Sequence, residues 1–193
     1  MIIGILDFLN KYSDAFLAIT SILALIFGGS WLNTSARKMK GKLDYDIARN
    51  YLKSVLSLRD AIKSVRNPFI DGSEINSYLQ KNNITPNEID NTDLIVYQER
   101  WKNLQSYWSA LDLILIDAEV SWGPEARDIQ NGLDELIREL RSTIFLFINS
   151  KESFYKHKDS FHILYMTNSE DDVFSKNVNK EVEKIREYLK KFL

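Results

Sequence analysis

Residues 15–36 carry no charged side chain, and Ala15 to Leu32 reads AFLAITSILALIFGGSWL. Only Thr20, Ser21 and Ser30 interrupt that apolar run, and their hydroxyls can bond back to their own helix. At about 1.5 Å per residue, Tyr12 to Trp31 would span roughly 28 Å, close to the ~30 Å hydrocarbon thickness of a bilayer. Tyr12 and Trp31 would then sit where aromatic side chains gather, at the two interfaces. A buried core helix of this length would show a polar stripe, and none is present. A cleaved leader would have a basic n-region, whereas Met1–Asp14 holds Asp7, Lys11 and Asp14, and no small-residue cleavage site follows. The reading is a retained membrane anchor over residues 13–34.

The flanks set the expected orientation. Arg37, Lys38, Lys40 and Lys42 follow the run directly, and Lys11 is the single basic side chain before it. The positive-inside rule then places residues 35–193 in the cytoplasm and the short segment 1–12 outside or at the outer interface. Residues 37–66 hold nine basic and three acidic side chains, whereas residues 67–135 hold four basic and thirteen acidic. An anionic inner leaflet would attract the first segment and repel the second. Within the span, Thr20, Ala24 and Gly28 repeat every four residues, the small-residue face through which two copies could associate.

Beyond the anchor the pattern is helical throughout, which predicts an all-α domain. Ala48, Tyr51, Val55, Leu58, Ile62, Val65 and Phe69 advance in steps of three and four and stop around Asn67-Pro68, because the residue before proline avoids helical geometry. One helix is expected to run from the bilayer through Arg66. Residues 71–85 read as a loop with a short helix near Glu74–Gln80. Thr85-Pro86-Asn87-Glu88 has the order of a capping box. A second seam follows: Leu94, Tyr97, Trp101, Leu104, Trp108, Leu111, Leu115, Ala118 and Trp122, ended by Gly123-Pro124. Its tryptophans are expected to fill the bundle centre. A third helix is expected from Pro124, with Ile129, Leu133, Leu136, Leu140, Ile144 and Phe147 as its stripe, continuing toward Phe161. Residues 161–166 fit either the end of that helix or a short extended piece. Ser169 with Asp172 reads as the cap of a last helix carrying Val178, Val182, Ile185, Leu189 and Phe192. Four amphipathic helices with short connections predict an antiparallel bundle.

The chain has no cysteine, two histidines, and seven glycines that form no phosphate-binding loop. His157 and His162 are five apart and would point in different directions on a helix. No cofactor or metal is expected, and the net charge of −2 does not suit a nucleic-acid binder. Arg59 and Arg66 are seven apart, as are Asp112 and Glu119. If their helices face each other, arginine–carboxylate pairs would form at the edge of the core and fix register, with Arg66 matched by Asp112 or Glu119. The layout resembles small bacterial proteins with an N-terminal anchor and a helical cytoplasmic domain, a likeness of architecture that carries over no functional residue. The expected role is a membrane-anchored, non-enzymatic interaction module that holds a protein partner at the inner membrane. The alternative is an oligomerising membrane effector of the defence or toxin kind, triggered through its bundle.

Overall fold

The computed structural model describes residues 37–83, 92–157, 159–167 and 172–193. Among them every regular element is a helix: α1 (residues 37–65), α2 (Gly72–Asn82), α3 (Thr92–Trp122), α4 (Glu125–Asp128), α5 (Asn131–Asn149), α6 (Lys151–Lys156), α7 (Ser160–Leu164) and α8 (Val173–Leu189). The chain divides into two compact units, one ending at Asp44 and one running from Tyr45 to Leu193. In the first unit, residues 37–44 are helical and the side chains from Arg37 to Leu43 are exposed. No helix among the described residues is long and apolar enough to cross a membrane. The expected anchor at 13–34, with Tyr12, Trp31, Thr20, Ala24 and Gly28, lies outside the described residues, as does Thr85–Glu88.

The second unit is built on the expected stripes. Ala48, Tyr51, Val55, Leu58, Ile62 and Val65 are buried along α1. The seam ends there, because Phe69 is 80% exposed. Arg66 closes the last helical turn onto the Ile62 carbonyl, and the Asn67 side chain then accepts from the Phe69 N–H across Pro68. That turn throws Phe69 outward. α2 is capped by Asp71, whose carboxylate accepts from the Ser73 N–H, and ends on Asn83 at φ 54°, a left-handed geometry that asparagine tolerates.

Along α3, Tyr97, Leu104, Leu111, Leu115 and Ala118 are buried. Trp101, Trp108 and Trp122 only lean on that core, so the tryptophans edge the bundle instead of filling its centre. Trp108 shows why: its indole N–H donates to Asp134 at 2.8 Å, and a polar tip of this kind favours a site open on one side. Trp122 stacks on Phe192 at 3.9 Å, clamping the end of α3 to the chain beyond α8. Gly123 stops α3 at φ 91° while its N–H reaches the Glu119 carbonyl. Glycine is needed here because a Cβ would be strained at that φ.

The expected third helix is divided into four. α4 ends at Asp128, and α5 begins after the buried Gln130. Ser150, at φ −153° and ψ 87°, breaks the helix and caps α6 through the Ser153 N–H. α7 covers most of 161–166, so that stretch is helical at its start and not a strand. Leu133, Ile137, Leu140, Ile144 and Phe147 face the core from α5, and Phe174, Val178, Val182, Ile185 and Leu189 from α8. Phe147 meets Tyr97 and Phe154 edge-on at 5.2 and 5.1 Å. α5 packs against α3, α6, α7 and α8, and the long helices share one buried cluster.

Candidate functional site

The four charged residues expected to pair across two helices do not meet. Arg59 turns to its neighbour Asp60 at the surface, 2.9 Å away. Glu119 pairs with Arg127 at 2.9 Å, both well exposed. Asp112 is exposed. Arg66 alone is buried, at 1% exposure, and its carboxylate is Asp172 at 2.9 Å. The expected pairing fails because Arg66 stands at the very end of α1. There it faces the α7–α8 connection and not the middle of α3.

The Arg66 guanidinium is held on every edge. Nε donates to the Ile163 carbonyl at 2.7 Å, Nη2 to the His162 and Tyr165 carbonyls and to Asp172, and Nη1 to the Ser175 hydroxyl. Its carbon lies 4.6 Å from the centre of the Phe174 ring. Asp172 in turn caps α8, accepting from the Ser175 N–H and hydroxyl, and receives the Thr167 N–H. Burial alone would raise the Asp172 pKa; the hydrogen bonds from Arg66 and Ser175 outweigh it and hold the carboxyl below its ordinary value. These bonds join the end of α1 to the start of α8 through a buried ion pair.

A second buried arginine went unread in the sequence. Arg100, 7% exposed, holds Glu74 in a bidentate pair at 2.8 Å and also donates to the Asn67 and Phe69 carbonyls. It fixes α2 and the Pro68 turn to α3. The hydrogen bonds from Arg100, ahead of the opposing effect of burial, keep the Glu74 carboxyl below its usual range. The one sequence signal was its position three residues after the seam residue Tyr97, at the edge of the stripe.

Polar groups also run through the core. The Tyr51 hydroxyl lies 3.3 Å from the Ala126 carbonyl and 3.2 Å from Gln130 Oε1, and Gln130 Nε2 reaches Asp134 at 3.3 Å. Burial, then the Asp134 charge, pushes the Tyr51 phenol up, so it stays protonated at any physiological pH. A cleft of about 430 Å³ between α5, α7 and α8 is lined by Glu139, Asp159, His162, Ile163, Phe174 and others. His157 and His162 are both exposed. Among the described residues no three histidines or carboxylates come together in a way that could hold a metal ion.

The outer face of α3 is different. Leu113 is 69% exposed, Ile116 51% and Val120 83%. Their spacing of three and four residues places them on one line along the helix, opposite the buried Leu111, Leu115 and Ala118. α3 is therefore apolar on two faces, and only one is covered by the described residues. Beside this line, Tyr107, Ala110 and Ile114 form one wall of a groove against α1, with a cleft of about 310 Å³ lined from α1 by Asn50, Lys53, Ser54 and Ser57. Arg37, Lys38, Lys40 and Lys42 are all exposed on the described part of α1. Compared with known proteins, the chain matches no family, no curated protein and no solved structure.

Proposed function

We propose that the protein is a non-enzymatic interaction module, anchored in the membrane through residues 13–34, that receives a helix of a partner protein on the outer face of α3. The observation that carries this reading is the exposed line Leu113, Ile116 and Val120. Exposed apolar side chains grouped along one line of a helix mark interaction sites, and an amphipathic helix laid along them would anchor at the same three-and-four spacing. That Arg66 and Arg100 are engaged by Asp172 and Glu74 and by backbone carbonyls supports the non-catalytic side of the reading, since a reactive centre needs groups left free for substrate. Anchoring rests on the uncharged run before Arg37 and on the four cations that follow it.

The test is site-specific photo-crosslinking in intact cells. A photoreactive side chain at Leu113 or Ile116 should yield a discrete adduct of higher mass, and one at exposed Glu183 on α8 should not. Val120→Glu should abolish the adduct without lowering the melting temperature. Equal labelling at all three positions, or an adduct indifferent to Val120→Glu, would overturn the proposal.

A further inference from the structure

The partner chemistry can be read from the charges around the strip, an inference that rests on the docking role of α3 proposed above. No lysine or arginine occurs between Lys102 and Arg127, a stretch that includes Asp112, Asp117 and Glu119. Asp117 is exposed within the apolar line, one residue beyond Ile116, and Asp112 is exposed on its flank. The cation closest to this face in sequence, Arg127, is engaged by Glu119 at 2.9 Å. The strip is thus apolar at its centre and carries the Asp112 and Asp117 carboxylates on α3 itself, while Lys53 stands across the groove on α1. We infer that the strip takes a basic amphipathic helix, with apolar residues at i, i+3 and i+7 and lysines or arginines beside them.

Two other occupants fit less well. If a second copy packed its α3 antiparallel with Leu113 opposite Val120, the two-fold axis would fall between Ile116 and Asp117. The two Asp117 carboxylates would then lie side by side across that axis. Like charges so placed oppose association. An anionic lipid surface would meet the same carboxylates and be repelled. A cationic helix turns each of these costs into an attraction. The α1–α3 groove beside Ala110 and Ile114 adds concavity on one flank, and because Lys53 lines it, that flank suits an apolar or neutral side chain of the incoming helix, with its cations toward Asp112 and Asp117.

The experiment uses the full chain in zwitterionic lipid nanodiscs and three fluorescent, stapled helical peptides of about 18 residues. The peptides share one leucine stripe and differ only in flanking residues: lysine, glutamine or glutamate. The lysine peptide should bind about tenfold more tightly than the glutamate peptide, as expected for two surface-strength ion pairs, and the margin should shrink as salt rises. Asp112→Lys with Asp117→Lys should reverse the order of the two charged peptides, and Ile116→Ser should weaken all three. Equal binding of the three peptides, still lost on Ile116→Ser, would overturn the cationic partner and leave the docking face standing. Failure of every peptide to respond to Ile116→Ser would overturn both. Sedimentation showing a dimer that Ile116→Ser dissolves would assign the face to a second copy. A dye attached through Ile116→Cys that shifts to the blue with anionic vesicles, and not with peptide, would assign it to lipid.

Discussion

Arg66 is the most deeply buried charged side chain among the described residues. A guanidinium at 1% exposure has lost its water, and among the described residues the Asp172 carboxylate returns the opposing charge. Removing one member of such a pair strands the other and costs about 3–5 kcal/mol. Arg66→Met should therefore destabilise Tyr45–Leu193 by that amount in chemical denaturation. A double-mutant cycle of Arg66→Met with Asp172→Asn should give a coupling of about 2–3 kcal/mol. Asparagine is chosen because it still caps α8. The same cycle with Asp112→Asn or Glu119→Gln should give coupling within about 0.5 kcal/mol, since neither touches Arg66. Acidity reports on the same pair. The Asp172 pKa is lower in the folded protein than its ordinary 3.8, so its contribution is complete above that value and fades as pH falls through the folded one. The stability gap between wild type and Asp172→Asn should be constant from neutrality to about pH 5 and close progressively below about pH 4. A gap that instead closed on the alkaline side would show that another group governs it.

At the scale of the helix, a seam is legible when it repeats with the helical period, and its neighbour is not. The α1 stripe from Ala48 to Val65 and the α8 stripe from Val178 to Leu189 are buried where the spacing put them. Spacing fixes which face of a helix turns inward, and says nothing of which residue from another helix stands opposite. That is why Arg66 was readable as an edge charge and Asp172, 106 positions away, was not readable as its partner. The divided third helix has a similar cause. Its apolar stripe continues past Ser150, but a local serine cap breaks the backbone there, and stripe and cap compete without any sign in the period. The two-faced character of α3 was visible as the run Leu111–Ile116, LDLILI, which is too apolar for one stripe. A single seam absorbs only half of it. The consequence can be measured by truncation on either side of the helix. Leu115→Ala, 1% exposed, should cost about 2–5 kcal/mol through the cavity it leaves. Leu113→Ala, on the outer face, should change stability by no more than about 0.5 kcal/mol. Trp108→Ala should fall between these, near 2–3 kcal/mol, because its ring is half-covered and its N–H bond to Asp134 is lost with it. A large cost for Leu113→Ala would mean that this face is already covered within the protein.

For the whole chain, the core and the proposed anchor make separable demands. The buried cluster of the described residues begins at Ile47 and ends at Leu189, so it lies entirely within the unit from Tyr45 to Leu193. That unit carries its own tertiary ties at both ends: Tyr51 to Gln130 near its start, and Trp122 stacked on Phe192 near its close. A buried cluster that lies, among the described residues, wholly after Tyr45 predicts that the fragment 45–193 folds by itself. It should show a helical spectrum and one cooperative thermal transition, as single domains of this size do. The uncharged run of residues 15–36 makes the opposite demand. About twenty apolar residues are poorly soluble in water and suit a bilayer. The full chain should therefore remain in the membrane pellet after an alkaline carbonate wash, while the fragment appears in the supernatant. Orientation follows from Arg37, Lys38, Lys40 and Lys42, which should keep the C-terminal unit on the cytoplasmic side. A C-terminal alkaline phosphatase fusion to the full chain should be inactive. Changing those four cations to glutamine while adding lysines before Tyr12 should switch the fusion on, because the flank carrying the excess of basic residues stays inside. A fragment that pellets with membranes would assign the attachment to the folded unit instead. A full chain released by carbonate would remove the anchor, and an active unmodified fusion would reverse its direction.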